Sequence, residues 1–204
     1  MHLAAQCGNN SMVELFLERG STTIDSPDNG GATPLHYAVG HGQDSTTRLL
    51  LQHGNTSLDT PDDVGITPLH LAAWSGQNSM VKLLLEHGSI SIDSPTYNGW
   101  TPLHYAAMEG HDSTVELLLR RGSTSLDSPD KRGKTPLHLA VMRGHDSATL
   151  KAVGATTLSL EYLTPRKIEK LQRTLPSSHM FNDEVLEIRF RIYFSRSLLS
   201  RLLF

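Results

Sequence analysis

The sequence predicts an all-α repeat solenoid, on three observations. Thr-Pro-Leu-His returns at residues 33–36, 67–70, 101–104 and 135–138, a period of 34 residues with no slip across four copies. Each copy opens one short apolar stretch at helical spacing and leads to a second, richer in leucine. Glycine follows both stretches at constant offsets. A period of this length marks stacked supersecondary units, because one helix pair cannot bury its own leucines while a row of copies can.

Residues 101–134 show the elements of one unit in order. Thr101 before Pro102 predicts a helix start: the threonine oxygen accepts from an orphan amide, and proline at the first helical position loses nothing. Leu103, Ala106 and Ala107 give this first helix a narrow face of small residues that a neighbour can approach closely. Gly110 ends it in the left-handed conformation that helix C-termini favour. The second helix is expected to be capped by residue 112 and its equivalents, Asn10, Asp44, Asn78, Asp112 and Asp146, each followed by Ser. Val115, Leu117, Leu118 and Leu119 supply a broad apolar face. Arg19, His53, His87 and Arg121 suit the negative end of the helix dipole, and Gly20, Gly54, Gly88 and Gly122 supply the stop. Asp-Ser/Thr-Pro corners follow at 25–27, 59–61, 93–95 and 127–129, with glycines at 31, 65, 99 and 133. Proline presets a turn and glycine permits positive φ, so a hairpin-like finger is expected to lead back to the next threonine.

Composition bounds the rest. The 204 residues are 38% apolar and 19% charged, ordinary for a globular chain. Cys7 is the single cysteine, which excludes an intramolecular disulfide and predicts a reducing, intracellular location, cytoplasmic or nuclear. No apolar run approaches the roughly 18 residues of a membrane span, and the first residues lack the pattern of a secretory signal. The net charge of −3 is unevenly spread: residues 1–150 carry 9 Lys+Arg against 16 Asp+Glu, and residues 151–204 carry 9 against 5.

The pattern G-x-T-P-L-H-x-A, two short helices and a glycine-ended second helix resemble ankyrin repeats. The resemblance covers residues 1–150: a partial first unit over 1–32, then units starting at 33, 67, 101 and 135, the last incomplete. It implies a stack of helix-turn-helix units joined by β-hairpin-like fingers. The period exceeds the usual length of about 33 by one residue. That residue lies between the second-helix glycine and the Asp-Ser/Thr-Pro corner, where an enlarged finger base is expected. The chain opens at Met1-His2-Leu3-Ala4-Ala5, in the middle of the motif and without its Thr-Pro.

His2, His36, His70, His104 and His138 invite a metal reading. Stacked helices lie about 8–10 Å apart, too far for successive histidines to share one zinc at roughly 2 Å per ligand. His36 and His41 stand about 140° apart around a helix of about 100° per residue. The resemblance implies instead that each histidine bonds local backbone and ties neighbouring fingers together. No metal or cofactor is expected. No G-x-S-x-G, P-loop or H-E-x-x-H appears, and Cys7 reads as a packed or exposed thiol. The chain is not expected to be an enzyme.

Comparing copies within the chain separates scaffold from variable positions, which fall in the finger and at the far end of the first helix. They are Asn29, Gly30, Ala32, Gly40 and His41 in the first full copy and Asp63, Val64, Ile66, Trp74 and Ser75 in the second. The third has Tyr97, Asn98, Trp100, Met108 and Glu109, and the fourth Lys131, Arg132, Lys134, Met142 and Arg143. The resemblance implies that such positions line a concave, partner-holding face. Ile66, Trp74, Tyr97, Trp100 and Met108 are expected to form an apolar and aromatic patch of hot-spot composition. Lys131, Arg132, Lys134 and Arg143 set a basic edge beside it, which suits a protein with an acidic segment next to an apolar anchor. Four charges without a dedicated motif fall short of a nucleic-acid footprint. Trp100 is favoured as an anchor; Trp74 suits binding or packing equally.

After Ser147 the leucine pattern fails. Thr164-Pro165 followed by Ile168, Leu171 and Leu175 suggests an amphipathic helical cap. Residues 188–194 read as a strand, a buried helix or sequence not selected to fold. The expected organisation is thus a repeat domain, 1–150, and a divergent tail, 151–204, helical cap or disordered. The mid-motif start and the abrupt loss of period suggest a fragment, or an imperfect gene model, from a longer array. A basic tail lying on a membrane surface is the runner-up for this segment. The expected function is a monomeric, non-catalytic protein–protein interaction module, with no nucleic acid or membrane partner. The alternative is a targeting or regulatory fragment of a larger multidomain enzyme or NTPase.

Overall fold

Each Thr-Pro starts a helix. In the computed structural model, which describes residues 1–20, 24–53, 57–88, 90–143 and 145, the first helices of successive units are α1 (His2–Gln6), α3 (Pro34–Gly40), α5 (Pro68–Trp74), α7 (Pro102–Glu109) and α9 (Pro136–Arg143). The second helices are α2 (Asn10–Glu18), α4 (Asp44–Gln52), α6 (Asn78–His87) and α8 (Asp112–Arg120). First helices pack on first helices along one row, and second helices pack on second helices along another. No strand occurs among the described residues. The cap over 164–175, the segment 188–194, Asp146 and the rest of the tail lie outside the described residues.

The core runs between the two rows. Leu35, Leu69 and Leu103 are fully buried at equivalent places, beside Ala38, Ala72 and Ala106, whose small side chains let first helices approach closely. Second helices contribute Val13, Leu50, Val81, Leu84, Val115 and Leu118. Each unit therefore completes its core only with its neighbours.

The expected cap positions move by one residue. Asn10, Asp44, Asn78 and Asp112 are the first helical residues, and the N-caps are Asn9, Gln43, Gln77 and His111. The cause is the tightness of the turn between the helices. Gly110, at φ +72°, donates its amide to Ala107, and the next amide, of His111, donates to Ala106. This pair of bonds closes the C-terminus of α7, so the residue that finishes one helix also begins the next. Only Asn9 caps with its side chain, which accepts from the Met12 amide at 3.1 Å.

The displaced residues bond across units instead. Thr46 donates its hydroxyl proton to Asn10 Oδ1 at 2.6 Å, and Thr114 to Asn78 Oδ1 at 2.7 Å. At the interface between those two, Met80 replaces the threonine and is buried in the core. Two kinds of interface thus alternate along the stack. The second-helix ends behave as their residues predict: His53 and His87 donate from Nδ1 to the carbonyls of Leu49 and Leu83, each at 3.0 Å. Where the linker carrying the extra residue is described throughout, a 3-10 turn over Ser125–Asp127 occupies it.

Candidate functional site

The fingers are held from below by the histidines. Thr33 donates its amide to His36 Nδ1 at 3.1 Å, which places the ring proton on Nε2, and Nε2 donates to the Ile66 carbonyl of the next finger at 3.0 Å. His70 repeats this between Thr67 and the Trp100 carbonyl, and His104 between Thr101 and the Lys134 carbonyl. His2, despite lacking its Thr-Pro, still reaches the Ala32 carbonyl at 3.1 Å. Both nitrogens of His36, His70 and His104 are thus occupied in binding one finger to the next. Burial disfavours the charged ring and pushes these histidines down, His70 to about 4. Among the described residues no three His, Cys, Asp or Glu side chains converge to hold a metal ion.

A second set of carboxylates ties the finger bases. The corner aspartates reach one unit ahead: Asp25 accepts from the Ser57 amide, Asp59 from the Ser91 amide and Asp93 from the Thr124 amide. Spacing alone identified these residues as turn formers; their partners about 32 positions away carry no local signal.

Each tip is a turn closed by a side chain. Asp62 Oδ1 accepts from the amides of Val64 and Ile66 at 3.0 and 2.7 Å. Asp28 and Asp130 do the same in their own fingers. In the third finger Thr96 stands at this place and accepts from the Trp100 amide through its hydroxyl. Adjacent tips are then joined by backbone: Asp63 N–H to the Gly30 carbonyl, Tyr97 N–H to Val64 and Lys131 N–H to Asn98, at 2.9–3.1 Å. Gly65 permits the close approach, since a Cβ there would lie 2.8 Å from the Tyr97 nitrogen. The tips form one continuous row.

Beside that row lies an aromatic cluster. Trp74, at the end of α5, is 48% exposed, with its ring centroid 6.1 Å from that of Tyr105. Tyr105 meets Trp100 edge-on at 5.1 Å. Trp100 lies over His104 and donates its indole N–H to Asp130 of the next finger at 2.9 Å. Burial acts to raise the Asp130 carboxyl, but the Lys134 amide, the Trp100 indole and the Arg132 amide outweigh it and hold it below its ordinary value. The cluster brings Trp74 and Trp100 together through Tyr105, a residue the sequence reading passed over. The signal was present, since otherwise matching motifs read Tyr37 and Tyr105 but Leu71 and Leu139.

The other expected residues distribute as follows. Tyr97 is 61% exposed on its tip and Val64 55% on the preceding one. Asp63, Asn98, Lys131 and Arg132 are exposed, while Ile66 and Lys134 are half-buried. Met108 and Glu109 are half-buried at the end of α7; Met142 and Arg143 are exposed at the end of α9, with Arg143 Nη2 3.9 Å from Met108 Sδ. Trp100 is half-buried and doubly held, so the ring with more free surface is Trp74.

A family model described as ankyrin repeats (3 copies) matches residues 1–96 and 89–152. No curated protein matches the chain.

Proposed function

The chain belongs to the ankyrin-repeat family, and from that premise we propose that it is a non-catalytic module holding a partner protein along its finger tips and the exposed ends of its first helices. Ankyrin repeats generally serve as protein–protein interaction modules. The observation that carries the reading here is the placement of large apolar side chains. Among the exposed large apolar side chains, Val64, Trp74, Tyr97 and Met142 lie on fingers or first-helix ends; the others, Leu3, Met12 and Leu15, lie on the helices of the first unit, α1 and α2. Surface of this composition is favourable to cover and costly to leave wet.

Trp74 is the anchor, with the ring of Tyr105 packed beside it. A protein captured on the full chain and then titrated against the Trp74→Ala variant should bind about tenfold more weakly or worse, as truncated aromatic hot spots do. Unchanged affinity in both Trp74→Ala and Tyr97→Ala would remove the assignment. No helix among the described residues is long and apolar enough to cross a membrane.

A further inference from the structure

The row of finger tips runs from acidic to basic: the first tip, Asp28–Ala32, has one carboxylate and no cation. The second tip, Asp62–Ile66, has two carboxylates and no cation. The third, Thr96–Trp100, has no charge, because Thr96 replaces the aspartate of its equivalents and performs its turn-closing bond with a hydroxyl. The fourth, Asp130–Lys134, has three cations against one carboxylate. That carboxylate is occupied by the amides of Arg132 and Lys134 and the Trp100 indole.

Two further observations make the gradient readable by a ligand. Backbone bonds from Tyr97 to Val64 and from Lys131 to Asn98 fix the order of the tips. The ion pairs among the described residues, Arg120–Glu116 and Arg121–Glu86, lie on second helices or at the end of one and do not involve Asp63, Lys131 or Arg132. At about 10 Å per unit the acidic and basic tips stand about 20 Å apart. Screening acts over about 8 Å at physiological salt, so neither end cancels the other.

We infer that this surface takes an extended protein segment of bipolar charge: an apolar or aromatic residue over the Trp74–Tyr105–Trp100 cluster, a basic residue beside Asp63 and an acidic residue beside Lys131 and Arg132. The inference rests on the function proposed above and adds the partner's chemistry. An extended chain at about 3.3 Å per residue covers about 20 Å in about six residues, so the two charges flank the anchor at about three residues on either side.

The test is a selection of displayed random peptides of about twelve residues on the immobilised full chain. It is repeated on Asp63→Lys and on the Lys131→Glu, Arg132→Glu double variant, all three with matching circular dichroism. Captured peptides that depend on Trp74 should carry opposite charges on the two sides of an apolar anchor. Asp63→Lys should shift them to acidic on both sides, and the double variant to basic on both sides. Synthetic peptides of each type should show a preference of about tenfold that moves with the variant. Trp74-dependent peptides with no such charge pattern, or with a pattern that ignores the variants, would overturn the inference and leave the binding function standing. Absence of any Trp74-dependent peptide would overturn both.

Discussion

His70 shows what one residue contributes to this fold. Its two nitrogens join Thr67, at the start of its own helix, to the Trp100 carbonyl of the next finger, and only the neutral ring can accept at Nδ1 and donate at Nε2. Above pH of about 6.5 the ring is neutral in both folded and unfolded chains. Below that value the unfolded chain binds a proton that the folded chain, with a pKa of about 4, refuses. Stability therefore falls as pH falls between about 6.5 and 4, by about 3 kcal/mol for His70 at the lower end. His36, His104 and His138 are lowered for the same reason, burial first, and act in the same direction. Urea denaturation at pH 7 and pH 5 should show a clear loss at the lower value. A His70→Gln variant should show a smaller pH dependence.

At the scale of the element, the helix pair is made by its turn. Gly110 sits at φ +72°, and a Cβ added there would also lie 2.6 Å from His145 Nδ1. Gly110→Ala should cost about 1–2 kcal/mol from backbone conformation alone, read as a lower midpoint in thermal or urea unfolding. Gly88 behaves differently: its φ of 178° is extended backbone, and a Cβ there would instead press on the Leu58 side chain, 2.8 Å from Cδ1. The two glycines look alike in the repeat, yet only the first has a left-handed backbone that disfavours a side chain. Helix starts were legible because Thr-Pro is a local device, but the second-helix cap was read one residue late. Asparagine and aspartate are good caps in general; here the preceding helix uses the backbone of residue 111 and its equivalents, which makes those residues the caps.

Across the whole molecule, stability is a sum over neighbours. Leu35 and Leu69 lie in adjacent units, Leu35 and Leu103 in units separated by one. Each leucine cut to alanine should cost about 2–5 kcal/mol. The pair Leu35→Ala with Leu103→Ala should add within about 0.5 kcal/mol, while Leu35→Ala with Leu69→Ala should depart from additivity by more. Equal departures for both pairs, measured by denaturant unfolding, would contradict a nearest-neighbour stack. The interfaces are also of two kinds, threonine-to-asparagine at Thr46 and Thr114, and Met80 between. That alternation is visible in the sequence as Asn-Ser-Met at 10–12 and 78–80 against Asp-Ser-Thr at 44–46 and 112–114. It acquires meaning only when residues 36 apart are seen to touch.

The sequence by itself determined the unit, its order and its stacking. Helix starts, stops and apolar faces are short-range properties, and an unbroken 34-residue period copies them faithfully from one unit to the next. Of the apolar patch it named, Trp74 and Tyr97 are exposed and Ile66, Trp100 and Met108 are half-buried. Only the tertiary structure decided which of the two tryptophan rings keeps more of its surface. Trp100 is held by Asp130, thirty residues away, while Trp74 keeps its surface and Tyr105 joins the two. The physical reason is range: a local pattern names the residues of each unit, but the partner of a side chain at a unit's edge belongs to the neighbouring copy.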